Sequence, residues 1–310
     1  MSSAAQAAIE PSGRTEAPVA PAQPFLLGLI GSPIRSSAAP AMHEAAAEAL
    51  GLRAHYRLID VPGADATGLR KMLDGVRLLG FSGVNVTFPY KEAVVSLLDA
   101  LSPAAAAIGT VNTVVARDGK LTGHNTDSSG FARAFARVLG SPGAAPVALI
   151  GAGGVGRAIG FALVQLGARA LHIFDSDAAK ANALAARLNA LAAGAAGRLN
   201  ARVCHDVAAA LDGAGGVING TPIGMLPNRD SPVPPQLLRG DMFVADAVYT
   251  PLWTPLLTAA RAAGCRVMTG RDLCIDQAVD AFRLFTSFEP SRERIGAAFD
   301  AVIAKRNEGK

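Results

Sequence analysis

A lysine follows a short apolar segment that carries two polar side chains. Within residues 82–92, SGVNVTFPYKE, Asn85 and Thr87 are two positions apart and share one face of a predicted strand, whereas the neighbouring valines and Phe88 take the other face. Lys91 comes just past the carboxyl end of this strand, where open α/β sheets bind their ligands. The pattern predicts a polar site with an ammonium group; a structural polar pair and a solvated lysine are the alternatives.

A glycine-rich segment, GAGGVG at 151–156, stands between an apolar strand-like run and a helix-like run. Its glycines permit a tight turn and let a pyrophosphate approach backbone N–H groups at a helix N-terminus, where the helix dipole favours negative charge. Such a string alone is weak, but its strand-turn-helix setting favours a dinucleotide site over a plain glycine-rich turn. The residues predicted to bind the cofactor here are Gly151, Ala152, Gly153, Gly154 and Val155.

An aspartate ends the next predicted strand, ALHIF. Asp175 follows the glycine-rich turn by about twenty residues, a spacing at which a carboxylate can accept hydrogen bonds from the adenosine ribose hydroxyls. Asp175 and Asp177 would both repel a 2′-phosphate, and Lys180 comes only later, so the sequence favours NAD over NADP. The alternative for Asp177 is a helix cap.

The composition narrows the class of protein. Of 310 residues, 50% are hydrophobic and 17% are charged, so the chain is long enough for two domains with sizeable cores and does not fit a disordered class. No apolar run reaches the roughly 20 residues of a transmembrane helix, and residues 1–23 lack the features of a signal peptide. We therefore expect no membrane partner and a cytoplasmic location.

Neither a nucleic-acid partner nor a metal site is expected. The net charge is +4, but lysines and arginines are dispersed and only 5% of residues are aromatic, so no basic stacking surface is indicated. The histidines show no HxH or HxxxH spacing and the cysteines no CxxC spacing, so no metal is predicted. We expect buried or idle thiols at Cys204, Cys265 and Cys274.

The order of elements predicts an α/β protein of two domains behind a disordered tail at residues 1–23. From Pro24, apolar strands alternate with helix-length stretches, which indicates a mostly parallel sheet in a substrate-binding and catalytic domain over 24–126. The rhythm restarts with the glycine-rich segment, so 127–274 is predicted to be a Rossmann dinucleotide-binding domain. Two C-terminal helices within 275–307 are expected to pack back on the first domain, because the second sheet is complete by then.

An Asn-Thr-Asp triplet at 125–127 follows a hairpin-like stretch, stands where the second domain begins, and belongs to a larger set of motifs. The set occurs in the order found in the shikimate/quinate dehydrogenase family, and the chain resembles that family over residues 24–305. The motifs are GSPIRSSAAPAMH (31–43), GVNVTFPYKE (83–92), IGTVNTV (108–114), GHNTD (123–127), GAGGVG (151–156), INGTPIGM (218–225), DAVYTP (246–251) and the late Gln277.

The resemblance implies a reaction and the residues that perform it. Members of this family reversibly oxidise a ring secondary alcohol to a ketone and pass the hydride to a nicotinamide cofactor. Lys91 of the N-V-T-x-P-x-K motif and Asp127 of the N-T-D motif match the family's catalytic pair, with Lys91 as the general base in oxidation and the acid in reduction. The resemblance places in the substrate site, between the domains, Ser37, Asn85, Thr87, Asn112, Tyr249 and Gln277.

A second glycine-containing loop, INGTPIGM, follows another predicted strand. The resemblance implies that Thr221, Pro222 and Gly224 contact the nicotinamide half of the cofactor, with a structural turn as the alternative. Gly270 is predicted to lie near the same group, because a glycine permits close approach of the backbone.

The chain departs from the family where the substrate carboxylate binds. The family pattern H-S-x-S-P has two serines, whereas here Ser37 is retained and Ala39 replaces the second. A lost hydrogen bond to a charged group costs about 1.5 to 3 kcal/mol, unless a water or Ser36 substitutes. The missing hydroxyl also leaves room near the carbon that carries an extra hydroxyl in quinate.

Ala39 and Asp175 together favour an NAD-linked quinate or quinate/shikimate dehydrogenase. The alternatives are an NADP-linked biosynthetic shikimate dehydrogenase, an enzyme for an aminoshikimate-like analogue, and a non-catalytic sensor that binds a dinucleotide or ligand. Retention of both Lys91 and Asp127 argues against the sensor. The oligomeric state is left open, with a homodimer among the options.

Overall fold

The computed structural model describes residues 23–194 and 199–308, which fold around two six-stranded sheets. The predicted disordered tail lies outside the described residues, except for Gln23. Within the described ranges, no helix is both long enough and apolar enough to cross a membrane. The predicted α/β class is confirmed.

The first sheet is built from residues 25–124 and is parallel in its first half. Its elements are β1 (Phe25–Gly31), α1 (Ala39–Glu48), β2 (Ala54–Asp60), α2 (Ala66–Leu78), β3 (Gly83–Val86), β4 (Ala100–Leu101), α3 (Pro103–Ile108), β5 (Thr113–Arg117) and β6 (Lys120–His124). The strand order is β2-β1-β3-β5-β6-β4. β1 runs parallel to β2 and β3, whereas β5 runs antiparallel to β3 and β6.

The β5–β6 hairpin matters for the site because its open end joins two motifs. Thr113 pairs with His124 across the hairpin, so Asn112 and residues 125–127 leave the sheet side by side. The backbone N–H of Asn112 donates to the carbonyl oxygen of His124 at 3.1 Å, which extends the pairing past the last registered residue. Two motifs separated in sequence are thereby brought together.

The second sheet is wholly parallel. The remaining elements are α4 (Thr126–Val138), β7 (Val147–Ile150), α5 (Gly154–Gln165), β8 (Ala170–Phe174), α6 (Ala178–Gly194), β9 (Asn200–Val203), α7 (Val207–Leu211), β10 (Gly216–Asn219), β11 (Phe243–Asp246), α8 (Pro255–Ala262), β12 (Arg266–Met268), α9 (Gly270–Thr286) and α10 (Arg292–Glu308). The order is β12-β11-β10-β7-β8-β9, so the chain crosses to the other side of β7 after β9. A crevice for a ligand forms at such a switch point, at the carboxyl ends of the strands.

The prediction for Phe88 was wrong. β3 ends at Val86, and Phe88 is 71% exposed instead of lying on the core face. The backbone N–H of Tyr90 donates to the carbonyl oxygen of Thr87, so a turn interrupts the two-residue alternation. As a result Tyr90, rather than Phe88, is buried.

The two C-terminal helices share a buried cluster with α1 of the first sheet. Ile275 and Phe282 of α9 share a buried cluster with Met42 of α1 and with Ile295 and Phe299 of α10. Burial of large apolar side chains stabilises this arrangement by about 1.5 to 3 kcal/mol for each residue.

Helix α4 is held tightly against α9. A Cβ built on Gly130 would lie 2.5 Å from the backbone nitrogen of Gln277, so only glycine permits this approach. Arg137 Nη1 of α4 is 2.7 Å from Asp276 Oδ2 of α9, and Ser129 Oγ donates to Asp280 Oδ2 at 2.5 Å. These contacts run from the first turn of α4 to its last turn and fix α4 relative to α9.

Candidate active site

The Lys91 and Asp127 side chains are in contact and are largely shielded from solvent. Lys91 Nζ lies 2.5 Å from Asp127 Oδ2, and the two side chains are only 13% and 10% exposed. A charge-assisted hydrogen bond of this kind is stronger than one between neutral groups, and limited solvent access strengthens it further. The structure thus brings together the two residues predicted to form the catalytic pair.

The backbone on each side holds this pair in place. The carbonyl oxygen of Lys91 accepts a hydrogen bond from Val111 N at 2.9 Å, which ties the lysine to the loop before β5. Asp127 lies in the first turn of α4, where the helix dipole favours a carboxylate. Asn125 caps that helix by accepting from Ser128 N at 3.1 Å, and its amide donates to Thr110 Oγ1 at 2.9 Å.

Asn112 orients the carboxylate. Its Nδ2 donates to Asp127 Oδ1 at 2.9 Å, while its Oδ1 accepts from Thr126 N at 2.7 Å. Asp127 therefore has one oxygen on Lys91 and the other on Asn112. Although the resemblance suggested that Asn112 lines the substrate site, these contacts make it a direct support for Asp127.

The polar face predicted for β3 exists, but Asn85 is engaged within the protein. Its Oδ1 accepts from Tyr56 OH at 2.8 Å, and its Nδ2 donates to Asn112 O at 3.1 Å and Thr113 Oγ1 at 3.0 Å. A hydrogen-bonded chain therefore leads from Tyr56 through Asn85 and Asn112 to Asp127. Tyr56 and Thr113 were missed by the sequence analysis.

Three other residues predicted to bind the substrate have neighbours within the protein: Ser37, Thr87 and Tyr249. Ser37 Oγ accepts from Ala39 N at 3.2 Å, and a Cβ on Gly31 would lie 2.3 Å from the methyl group of Thr87, so Thr87 packs on the end of β1. Tyr249 packs edge-to-face on Phe299 with ring centroids 5.7 Å apart, and burial raises the pKa of its phenol well above the usual value.

Gln277 does not reach into the cleft in this conformation. Its Nε2 donates to the carbonyl oxygen of Cys274 at 2.8 Å, one turn earlier in α9. Burial, reinforced by the negative charge of Asp127, raises the pKa of the Cys274 thiol to about 12. Cys274 therefore lies near the catalytic pair as a neutral thiol, and all three cysteines are free and buried, as predicted.

The glycine-rich turn has the shape that a pyrophosphate requires. Gly151 has a φ of +102°, and a Cβ on Gly156 would lie 2.0 Å from the carbonyl oxygen of Gly151, so larger residues would disrupt the turn. Gly153, the N-cap of α5, has open space where a side chain would be, and no side chain caps the helix. The first N–H groups of α5 are left available to an anion.

The catalytic pair adjoins this turn. A Cβ on Gly154 would lie 3.5 Å from Lys91 Cδ, which is ordinary van der Waals contact. Glu92, next to the lysine, also pairs with Arg157 of α5 at 3.2 Å. We call the glycine-rich turn at 151–156 the dinucleotide cradle. The Lys91 ammonium group and this cradle therefore face the same crevice.

Asp175 closes the cradle at the other end. Its Oδ2 accepts from Ala152 N at 2.7 Å and its Oδ1 accepts from Asp177 N at 2.8 Å, which leaves a further lone pair on each oxygen for ribose hydroxyls. Asp177 Oδ1 accepts from Ala179 N at 3.0 Å. Asp177 thus serves as the cap of α6, the alternative considered for it.

The loop after β10 packs against the glycine-rich turn. A Cβ on Gly151 would lie 2.7 Å from the methyl group of Thr221, and a Cβ on Gly270 would lie 2.3 Å from the carbonyl oxygen of Val248. Pro222 is exposed and Gly224 has a φ of +93°. Asp246 is a buried carboxylate among these loops that the sequence did not single out, and one of its hydrogen-bond partners, Asn219, lies 27 positions away.

The part of the chain that the structure describes contains no candidate metal site. There, no cluster of three or more His, Cys, Asp or Glu side chains could hold an ion. Buried His43 stacks on Tyr56 with ring centroids 4.8 Å apart, and burial lowers its pKa to about 3.

Known proteins match most of the chain. Residues 29–114 match the shikimate dehydrogenase substrate binding domain. A quinate/shikimate dehydrogenase (NAD(+)) of Corynebacterium efficiens is 46% identical over 279 residues, which cover 89% of this chain and 97% of that protein. A shikimate dehydrogenase (NADP(+)) of Streptomyces avermitilis is 45% identical, with 87% and 93% covered.

A solved structure matches over the same extent. The quinate dehydrogenase from Corynebacterium glutamicum in complex with NAD has a TM-score of 0.82 and 43% sequence identity, and the match covers 90% of this chain and 99% of that one.

Proposed function

The chain belongs to the shikimate/quinate dehydrogenase family, and from that premise we propose that it oxidises a ring hydroxyl of quinate or shikimate reversibly to the 3-dehydro ketone with NAD. One observation carries the proposal: the Lys91–Asp127 pair, joined at 2.5 Å, faces the glycine-rich turn at Gly154. A proton-transfer group beside a dinucleotide cradle is what alcohol oxidation by hydride transfer needs.

In the proposed reaction, Lys91 accepts the proton of the substrate hydroxyl during oxidation and returns it during reduction. Asp127 orients the lysine through Oδ2 and can hydrogen-bond a neighbouring hydroxyl, while Asn112 holds Asp127 through Oδ1. The bound cofactor would accept the hydride. The cleft limits water around the proton transfer, since both side chains of the pair are largely buried.

We assign the remaining residues by their position in the cleft. Substrate contacts are proposed for Ser37, Thr87 and Tyr249, whereas Asn85 and Asn112 act mainly by holding the polar face in place. Gln277 can reach a substrate only after its hydrogen bond to Cys274 O breaks, which fits closure of the cleft on binding.

The proposed cofactor is NAD rather than NADP. Asp175 has free lone pairs for the ribose hydroxyls and places negative charge where a 2′-phosphate would lie. The complex of the Corynebacterium glutamicum quinate dehydrogenase with NAD supports this assignment, while the Streptomyces avermitilis relative keeps the NADP-linked shikimate dehydrogenase as the second candidate. Substitution of Asp175 by Ser is expected to improve use of NADP relative to NAD.

The substrate preference proposed here rests on Ala39. Its missing hydroxyl leaves the carboxylate subsite with Ser37, whose Oγ already accepts from Ala39 N, and makes room for the extra hydroxyl of quinate. Introducing the second serine with Ala39→Ser is expected to improve kcat/KM for shikimate relative to quinate.

A nicotinamide absorbance assay tests the proposal directly. Purified protein is assayed with quinate and shikimate, each with NAD and with NADP, and we expect the highest kcat/KM with NAD and one of the two acids. A much higher kcat/KM for shikimate with NADP would overturn the cofactor assignment. Absence of turnover with tight dinucleotide binding would instead indicate the sensor. The cytoplasmic location, the homodimer and the lack of nucleic-acid partners stay predictions.

A further inference from the structure

Asp246, the last residue of β11, is a buried carboxylate outside the catalytic pair. The residue is 1% exposed. Its Oδ1 accepts from Asn219 Nδ2 and from Val248 N, each at 2.9 Å, and its Oδ2 accepts from Thr254 Oγ1 at 2.7 Å. All three donors are neutral groups, and burial raises the pKa of this carboxyl to about 6. A charge buried without a cation is unfavourable unless such donors hold it.

One donor leads to the glycine-rich turn. Asn219 ends β10 directly beside Asp246, and its Oδ1 accepts from Thr221 N at 2.9 Å and from Thr221 Oγ1 at 2.7 Å. The methyl group of Thr221 lies against Gly151, and a Cβ on neighbouring Gly220 would lie 3.0 Å from Gly156 Cα. Asp246 therefore holds the loop at 219–224 in position against the glycine-rich turn.

The other two donors, Val248 and Thr254, lie on the loop after β11. Val248 N donates to Asp246, and the carbonyl oxygen of Val248 contacts Gly270 at the start of α9. Thr254 caps α8 by accepting from Leu257 N at 3.2 Å, and its side chain lies 3.5 Å from the Cβ position of Gly224. The loop at 219–224, which carries Thr221 and Gly224, the loop after β11 and the start of α9 at Gly270 thus meet around one carboxylate.

We infer that Asp246 is a positioning residue for the nicotinamide half of the cofactor, acting through Asn219, Val248 and Thr254. The inference rests on the proposed function, because it assumes that the dinucleotide lies along the cradle. The adenosine half lies at the other end, near Asp175, and does not depend on these loops. Loss of one of these donors, or of the Asp246 charge, should weaken binding of the nicotinamide half of the cofactor and leave binding of the adenosine half unchanged.

Affinities for NAD and for ADP-ribose separate the two halves, since ADP-ribose lacks the nicotinamide. Both dissociation constants are measured by calorimetric titration on the wild type and on Asp246→Asn, Thr254→Val and Thr254→Ser, with thermal melting to verify folding. We expect Asp246→Asn and Thr254→Val to raise the Kd for NAD about 10-fold and to leave that for ADP-ribose within about 2-fold. Thr254→Ser keeps the hydroxyl and should behave as the wild type.

Exposed Thr258 on the same helix gives a matched control, since Thr258→Val should change neither affinity. If Asp246→Asn and Thr254→Val weaken both ligands equally, or neither, Asp246 has only a structural role and the inference is wrong. If Asp246→Asn fails to fold, Thr254→Val alone decides by the same criterion. A wild type that binds neither ligand would refute the proposed function itself, which is a different outcome from intact binding with unaffected variants.

Discussion

Two buried carboxylates, Asp127 and Asp246, differ in the groups that hold them. Asp127, 7% exposed, has an ammonium group on one oxygen and an amide on the other. Asp246, 1% exposed, has only neutral donors, which come from two segments of the chain, the end of β10 and the loop after β11. The first is open to the cleft through Lys91, and the second is closed off by the loops that it binds.

The difference separates chemistry from positioning. A carboxylate beside a lysine in a cleft can take part in moving a proton, because the proton has a second carrier within hydrogen-bond distance. A carboxylate enclosed by amide, backbone and hydroxyl donors has no such carrier, and its contacts instead fix the conformation of the loop at 219–224 and the loop after β11. Substitutions in the two regions should therefore change different measurements.

Removal of the ammonium group should have the largest effect. Lys91→Ala is expected to lower kcat by about 10³-fold, since it removes the proton carrier. The Kd for NAD should stay within about 3-fold, because only the aliphatic part of Lys91 touches the glycine-rich turn. Steady-state kinetics and calorimetric titration measure the two quantities.

Exposed Lys71 on α2 supplies the control for this substitution, and Lys71→Ala should leave both quantities unchanged. If Lys91→Ala retains turnover, the Lys91–Asp127 pair does not carry the proton transfer. The contrast between the two carboxylates then does not hold.

The pH dependence of stability should identify the second carboxylate. Burial raises the pKa of Asp246 from 3.8 to about 6, so the folded state holds the proton more tightly than the unfolded state. Stability from this group is complete below pH of about 4 and is lost as the pH rises through about 6, a change of about 3 kcal/mol. Relative to Asp246→Asn, the wild type should therefore become less stable as the pH rises.

Urea unfolding of both proteins across this pH range measures the difference, and Asp230→Asn at an exposed position is the control. If the free energies of unfolding of the wild type and Asp246→Asn differ by the same amount at every pH, the Asp246 carboxyl does not titrate in this range. Burial without a cation would then not distinguish Asp246 from Asp127.

The sequence predicted the elements and residues whose signals are local. The strand-turn-helix at 151–156, the hairpin before Asn125 and the position of Lys91 after β3 follow from periodicity and glycine placement. That Lys91 and Asp127 touch followed only from the resemblance, since their contact depends on how β3 and the hairpin pair in the sheet. Phe88 was misplaced because the two-residue period was extended past a turn.

The supporting network could not be predicted, because its contacts join segments far apart in the chain. Tyr56 reaches Asn85 across 29 positions, and Asn219 reaches Asp246 across 27. Asn219 and Asp246 lie on neighbouring parallel strands, whereas β1 lies between the strand of Tyr56 and the strand of Asn85. A single sequence reveals neither the strand order nor the register. Polar residues at strand ends indicated a site but not which of them face the ligand.

The network under the first carboxylate should show an intermediate effect. Thr113 Oγ1 accepts from Asn85 Nδ2 and donates to Asn112 Oδ1, both at 3.0 Å. Thr113→Val leaves those buried groups short of a partner and should destabilise the fold by about 1 to 2 kcal/mol in urea unfolding. It should also lower kcat, by less than Lys91→Ala does, because Asn112 then holds Asp127 less firmly.

Half-buried Thr122 on β6 is the matched position, where the same change to Val should be nearly neutral. If Thr113→Val lowers stability but leaves kcat untouched, the orientation of Asp127 does not depend on this network.

The smallest effect is expected at the ion pair that links the loop of Lys91 to helix α5. Arg157 of α5 and Glu92 are 3.2 Å apart, with side chains 19% and 50% exposed, so solvent and salt screen their attraction. Arg157→Gln should cost less than about 1 kcal/mol in urea unfolding, and less still at high salt. Glu92→Gln is the matched variant, and the double variant should equal either single one if the pair acts alone. A larger loss, accompanied by a higher KM for NAD, would mean that the loop of Lys91 and the glycine-rich turn act as one unit, so that the Lys91–Asp127 pair could not be treated as independent of the cofactor site.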